Sequence, residues 1–316
     1  MRNRAKAVFL LAFLLTASSC SRGPKYEFPL VQKYTTQAGD VFYFRPRDGQ
    51  FVLVERRRAL AVAIAPEPDI EAFSYEDRIT VSRPLQQSEM LENKIFLENV
   101  GAQTQLAMSA DGRLLAGGDT NGVVNIWSVV DGSALLRLKN ASAVRSLAFS
   151  PDGNFLAIGL AKSVREPSDT VWLYDIRGNS TYRSFGSSSV VALAWSPDGR
   201  QYAAGLDDGS VLVAEAAGYS EPHRIAASSS PLVALAFHPS GQFLAAAHSD
   251  KRILLHKLPT AELIFTFEPA LPPNPLFPRG FEAVAFDGTG NRFAADYADG
   301  DMRIWDASAL AQSLAK

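Results

Sequence analysis

Cysteine is almost missing from this chain: of 316 residues only one is a cysteine, Cys20. That excludes an internal disulfide and any metal site that needs several thiolates. Histidine is scarce as well, with only His223, His238, His248 and His256. Long apolar runs are missing too. The run Ala7–Leu15 has nine residues, and a transmembrane helix needs about 20. Gly-x-Ser-x-Gly, the P-loop and His-Glu-x-x-His are all absent, as are glycine-rich phosphate cradles and calcium-loop spacing. No catalytic residue, cofactor or metal is therefore expected. Excess positive charge is lacking, since 31 Lys and Arg face 33 Asp and Glu, which argues against a nucleic-acid partner.

What is present is repetition. LAMSADG (106–112), LAFSPDG (147–153), LAWSPDG (193–199), LAFHPSG (235–241) and VAFDGTG (284–290) are five versions of one motif, spaced by 41, 46, 42 and 49 residues. Self-similarity at this period marks a repeat architecture. Each copy is an apolar run, a turn rich in Pro, Asp, Ser and Gly, and a second apolar run, which reads as two strands across a tight turn. Two further strand candidates follow in each copy, at 123–128 and 134–138 in the first and at 170–175 and 182–185 in the second. LAVAIAPEPD (60–69) is a degraded copy, with Pro66 and Pro68 where a second strand should run. DRITVS (77–82) and IFLEN (95–99) would be its third and fourth strands.

The pattern resembles WD40 repeats, well over residues 106–306 and faintly over 27–105. Trp305-Asp306 is the one literal Trp-Asp dipeptide; Trp127-Ser128, Tyr174-Asp175, Ala214-Glu215 and His256-Lys257 hold its place elsewhere. The family's Gly-His dipeptide is absent, which puts its internal His–Asp network in doubt. The resemblance implies an all-β fold, a single β-propeller of four-stranded blades over 27–316. Dividing the 297 residues from Cys20 onward by about 42 per blade favours seven blades. Six is the alternative, if 27–55 only closes the last blade. DVFYFR (40–45) or FVLVE (51–55) is the expected closing strand.

At the N-terminus, Arg2, Arg4 and Lys6 precede the apolar run, and Thr16-Ala17-Ser18-Ser19 leads to Cys20. A basic segment, a short apolar core and small residues form a secretory signal over 1–19. The small residues before Cys20 resemble the bacterial lipobox, with Ala17 where leucine is commonest. The resemblance implies acylation of Cys20, a tether over 20–26 and a place in the cell envelope. Ser21, rather than Asp, implies the outer membrane in a Gram-negative host. More than one acyl chain gives stable attachment. Without residues 1–19 the balance is 28 Lys and Arg against 33 Asp and Glu, a net charge of −5.

Function is expected where the repeat stretches. KSVREPSD (162–169), carrying Arg165, lengthens the second copy, and EPALPPNPLFPRGFE (268–282) lengthens the interval before the last. Arg56, Arg57 and Arg58 follow FVLVE on the same expected face. Loops on a rigid scaffold commonly bind partners. Leu276, Phe277, Arg279 and Phe281 combine apolar anchors with a cation, as binding hot spots do. The plainer alternatives are a tolerated proline-rich insertion and a solvated Arg triplet. Three histidines fall in one copy, but His238 and His248 are expected at opposite ends of a sheet, so a shared metal is not expected. His256 replaces the third-strand aromatic. The leading expectation is a monomeric, non-catalytic, lipid-anchored scaffold that binds a protein partner through one face, in the manner of envelope assembly proteins. One alternative is a propeller-fold hydrolase or lactonase with its site at the channel mouth, although first-strand ends here carry no converging acids. The other is a cytoplasmic WD40 scaffold.

Overall fold

The computed structural model describes residues 30–35, 41–45, 50–54, 59–65, 70–83, 93–98, 101–140, 142–163, 169–226, 228–267, 281–297 and 301–314. The signal segment, Cys20, Arg56, Arg57, Arg58, Arg165, Leu276, Phe277 and Arg279 lie outside them.

The chain opens with strands β1 (Leu30–Thr35), β2 (Val41–Arg45) and β3 (Gln50–Val54). Blade 1 is β4 (Ala61–Ala65), β5 (Ile70–Ser74), β6 (Arg78–Arg83) and β7 (Asn93–Glu98). Blade 2 is β8 (Gln105–Met108), β9 (Leu114–Gly118), β10 (Val123–Ser128) and β11 (Ala134–Lys139). Blade 3 is β12 (Val144–Phe149), β13 (Phe155–Leu160), β14 (Val171–Asp175) and β15 (Ser180–Phe185). Blade 4 is β16 (Val190–Trp195), β17 (Gln201–Leu206), β18 (Ser210–Glu215) and β19 (His223–Ala226). Blade 5 is β20 (Leu232–Phe237), β21 (Phe243–His248), β22 (Ile253–Lys257) and β23 (Glu262–Phe267). Blade 6 takes β24 (Phe281–Phe286), β25 (Arg292–Tyr297) and β26 (Asp301–Asp306) from the end of the chain and β1 from its start. Helix α1 (Ser308–Leu314) follows.

Each blade is an antiparallel meander, and the first strands β4, β8, β12, β16, β20 and β24 lie side by side in chain order. The fold is a β-propeller of six four-stranded blades, the lower of the two expected counts. Closure differs from expectation. β1 pairs with β26 from Leu30↔Trp305 to Thr35↔Asp301, whereas β2 and β3 pair with each other from Val41↔Val54 to Arg45↔Gln50. Only residues 46–49 separate β2 from β3, so their pairing closes a very short loop at little entropic cost. That two-stranded sheet stands where a seventh blade was expected, with β2 against β24. In the degraded copy, β4 ends at Ala65 and β5 begins at Ile70, so Pro66 and Pro68 fall between strands rather than within one.

The repeated motif builds the same turn five times. Gly112, Gly153, Gly199, Gly241 and Gly290 each have φ between 67° and 73°, a region where a Cβ is costly. Each donates its N–H to the carbonyl three residues back, on Ser109, Ser150, Ser196, His238 and Asp287, at 2.8–3.0 Å. In three copies the serine hydroxyl also bonds the aspartate two residues on: Ser109–Asp111 at 2.6 Å, Ser150–Asp152 at 2.5 Å and Ser196–Asp198 at 2.6 Å. Four of the five first strands begin three residues earlier than the motif suggests, and β8 begins one residue earlier. An extra residue bulges from the ladder between Val144 and Ser146, Val190 and Ala192, and Leu232 and Ala234.

The core lies between blades. One cluster joins Ile70, Ile79 and Val81 of blade 1 to Leu115 and Trp127 of blade 2. Others join blades 2 and 3 (Val124, Ile126 with Leu156, Tyr174), 3 and 4 (Val171, Leu173 with Tyr202, Leu212), and 4 and 5 (Val211, Ile225 with Leu244, Leu258). The fifth joins Phe243, Phe265 and Phe267 of blade 5 to Phe293 of blade 6, and takes in Ala307 and Leu310 at α1. Asp306, the aspartate of the Trp-Asp dipeptide, caps that helix by accepting the Ser308 N–H at 2.8 Å.

Where blades approach most closely, only glycine fits. A Cβ on Gly118, Gly159 or Gly205 would lie 2.4, 2.4 and 2.2 Å from Val144, Val190 and Leu232 of the next blade. Val190 is β-branched and cannot swing aside. Gly159→Ala is therefore expected to destabilise the fold by about 1–3 kcal/mol, and Val190→Ala in the same chain should restore part of that. Denaturant midpoints of the two single variants and the double variant check it; additive losses would show that the two residues are not coupled.

Candidate partner-binding surface

The meander gives the ring two ends. Connections between second and third strands, and from fourth strand to the next blade, leave at one end, the loop end. Turns between first and second strands, and between third and fourth, lie at the other, the turn end. Neighbouring blades share this sense, because Ser109 lies beside Gly153, Pro151 beside Gly199, and the His238 ring against Gly290.

The sequence-based candidates lie in connections expected at the loop end, and of them the structure describes only Phe281. Of the connection 161–170, the described residues are anchored: the Lys162 N–H donates to Ser189 Oγ at 3.0 Å, and Trp172 Nε1 donates to the Asp169 carbonyl at 2.9 Å. Ser184 Oγ donates to the Asp169 carboxylate at 2.6 Å. Phe281 is the first residue of β24, paired with Tyr297, so the connection before it ends at residue 280. The other candidates lie outside the described residues, so which of them meet is not on view.

Charges at the loop end hold the turns together. Asp119 Oδ1 accepts the N–H groups of Asn121 and Val123 at 2.9 and 2.8 Å. Asp208 accepts from Ser210, Ser188 and Arg224, the last at 2.7 Å. Burial raises its pKa, but the Ser210 bonds and Arg224 outweigh that and bring it to about 2. Asp250 pairs with Arg252, whose guanidinium also reaches Ser228 Oγ at 3.3 Å. Arg and Ser side chains thus tie these aspartates to the outer strand and to neighbouring turns.

The four histidines do not converge. His223 opens β19 and is exposed. His238, 2% exposed, contributes its carbonyl to a turn, and its ring spans two blades. Its Nε2 lies 3.2 Å from the Gly290 carbonyl, while Nδ1 lies 3.1 Å from the Ser240 N–H. Only the neutral tautomer with the proton on Nε2 satisfies both, donating to Gly290 and accepting from Ser240. His248 and His256 point Nδ1 at the carbonyls of Ser230 and Ala261, at 3.0 and 3.2 Å. His256 sits opposite Leu244, the ladder position that Trp127, Tyr174, Ala214 and Trp305 hold in other blades. Among the described residues, no group of three or more His, Cys, Asp or Glu could hold a metal ion.

The turn end has a surface feature that the repeat pattern does not show. A cleft of about 460 Å³ separates blades 4 and 5, lined among others by Asp198, Arg200, Gln201, Glu215, Gln242 and Pro259. Beside it, the connection 216–222 raises Tyr219, which is 73% exposed. Its ring stacks on Tyr182 of blade 3 at 5.6 Å and 18°. The sequence signal for this surface is the length of that connection. Its seven residues exceed the five of 129–133 and the four each of 176–179 and 258–261; the nine of 84–92 in blade 1 lie outside the described residues.

A ring of antiparallel blades whose core lies in the blade interfaces is a β-propeller scaffold, a fold suited to protein–protein contact. Residues 132–165, 179–213 and 220–257 match the family model described as WD domain, G-beta repeat, so these segments are WD40 repeats. Each match starts at or before the fourth strand of one blade and takes in two or three strands of the next. The sequence unit therefore straddles blades, and β1 supplies the outer strand that the last blade lacks.

Burial lowers the pKa of His238, His248 and His256 from the ordinary 6.5. The unfolded chain then binds more protons below that value, so stability falls as pH drops through about 6.5. Asp111, Asp152, Asp198 and Asp208 are shifted below the ordinary 3.8, and their contribution is lost in a second window, below about 3.8. Replacing His256 by Phe should make the first fall shallower by up to about 1.4 kcal/mol per pH unit. Unfolding titrations between pH 7.5 and pH 5 check this; an unchanged slope would remove His256 from the account.

Proposed function

We propose that this protein is a non-catalytic scaffold lipoprotein: a WD40 propeller attached to a bacterial envelope membrane through acylated Cys20, holding a protein partner and serving envelope complex assembly. The observation that carries the scaffold reading is the use of polar groups in the described turns. The carboxylates of Asp111, Asp119, Asp152, Asp198, Asp208, Asp250 and Asp287 are all engaged in holding turns. Such side chains are committed to keeping a scaffold rigid. No helix among the described residues is long and apolar enough to cross a membrane. Support for attachment therefore comes from Arg2, Arg4, Lys6, the apolar run to Leu15 and Cys20 itself.

Two measurements test this reading. Cys20→Ala should move the protein from the membrane to the soluble fraction and abolish incorporation of labelled fatty acid; unchanged partitioning sinks the lipoprotein reading. For the partner, a photo-cross-linker at Phe277 should capture an envelope protein, and deletion of 271–280 should lose it from affinity capture in host membranes. Capture unaffected by the deletion would move the contact away from that segment.

A further inference from the structure

The connection 216–222 is held from the neighbouring blade. Arg183 of blade 3 donates Nη2 to the Ser220 carbonyl at 2.7 Å and Nη1 to the Glu215 carbonyl at 3.5 Å. Its guanidinium lies over the Phe185 ring, 5.0 Å from the centroid. The Gly218 N–H donates to Tyr182 Oη at 3.1 Å, with Gly218 at φ 85°, a conformation that glycine adopts without strain. Phe155 meets the Tyr182 ring edge-on at 5.6 Å. An exposed tyrosine ordinarily samples several rotamers and loses that freedom on binding. Here the loop backbone and one face of the Tyr219 ring are already fixed, and the other face is open to solvent. Tyrosine and arginine are also the residues most often found carrying interface energy.

On the far side of the same connection the cleft is acidic. The Ser196 hydroxyl holds the Asp198 carboxyl below the usual carboxylate range, so it is ionised. Its cation, Arg200, stands off at 3.7 Å with the two side chains 50% and 84% exposed, a pairing of little strength. Glu215 accepts from the neutral Gln201 amide at 2.7 Å, a partner that brings no positive charge. Two carboxylates and one loosely held cation thus line the cleft. A neutral saccharide would stack on Tyr219 but would need free hydrogen-bonding groups around the ring. The nearest of these, the Gly218 N–H, the Ser220 carbonyl and Arg183, are already paired with one another or with Tyr182. A cation and an apolar ring satisfy both halves of the surface.

We infer that the 216–222 connection and the adjoining cleft form a docking site for an extended segment of a partner protein, which sets a proline or aromatic ring on Tyr219 and a Lys or Arg side chain against Asp198 and Glu215. The inference rests on the scaffold reading above, but neither on the lipid anchor nor on the loop-end segment 271–280.

The test screens the full chain, in detergent, against a displayed random peptide library and measures the enriched peptides on variants. Enriched peptides should share a proline or aromatic residue near a Lys or Arg. Tyr219→Ala should weaken them about tenfold or more, and Glu215→Gln should weaken them less while flattening the salt dependence. Leu263→Ala, at an exposed residue of β23, should leave them unchanged, and thermal unfolding should show all three variants folded. Affinity that survives Tyr219→Ala but is lost on deleting 271–280 overturns this site and leaves the loop-end reading standing. No enriched peptide, with soluble glycan fragments binding in a Tyr219-dependent way, overturns it in favour of a saccharide platform. No binding of either kind also overturns it.

Discussion

A four-stranded sheet of five or six residues per strand has two faces, and in this chain both are apolar along the second and third strands. β13, β17 and β21 are buried almost throughout. No such sheet can exist alone in water. The only element of matching shape and polarity is another copy of itself, and repetition around a ring gives each blade two neighbours. Five of the apolar clusters lie across blade boundaries. Blade contact therefore sets a further requirement, glycine at 118, 159 and 205. It also fixes closure. Among the described residues, the face of blade 6 around Ala294, Met302 and Ile304 and that of blade 1 around Ala59 and Phe73 belong to separate small clusters, and β1 joins the two ends of the chain by pairing with β26.

The sequence unit and the structural unit are out of phase, and the phase shift is physical. A unit that supplies the outer strand of one blade and the inner strands of the next ties neighbours covalently at every boundary. Only the chain ends need a non-covalent join, which β1 provides through its ladder to β26.

This explains which parts were legible. Inner strands bury both faces and read as continuous apolar runs, so LAFS, NFLAIG and their cousins could be placed from sequence. Outer strands bury one face poorly: β11 alternates half-buried and exposed residues, and β15 is nowhere fully buried. LVQKYT at 30–35 has that mixed character, and it lost the closing role on paper to the more apolar DVFYFR and FVLVE, which instead satisfy each other. The start of β12 is hidden for a related reason, since the bulged residue Arg145 is exposed and breaks the apolar run; β16 and β20 are apolar throughout, and nothing local marks their starts. Helix α1 was missed because its signal is only Ala307 and Leu310, read correctly only once the blade 5 and 6 interface exists to bury them. Tyr182 and Tyr219 lie in different blades, 37 residues apart, and no local pattern announces that they stack.

The opening motif, LAFSPDG, also takes a sharper meaning. Its serine and aspartate bond each other and the turn backbone, so the turn end is stiff and most of its charge is spent internally. Such a turn presents a partner only the outer side of its aspartate, half-exposed at Asp198, while the surface it supports can be extended cheaply. Where one third-to-fourth-strand turn is longer by a few residues the blade keeps most of its outer ladder, since β18 and β19 still pair from Ser210↔Ala226 to Val213↔His223. Bonds from the neighbouring blade then immobilise the added residues, as Arg183 and Tyr182 do for 216–222. A ring whose stability resides in its interfaces can acquire recognition at its rim without placing its core at risk. The 216–222 turn, clamped to the neighbouring blade, has the form that such an addition takes.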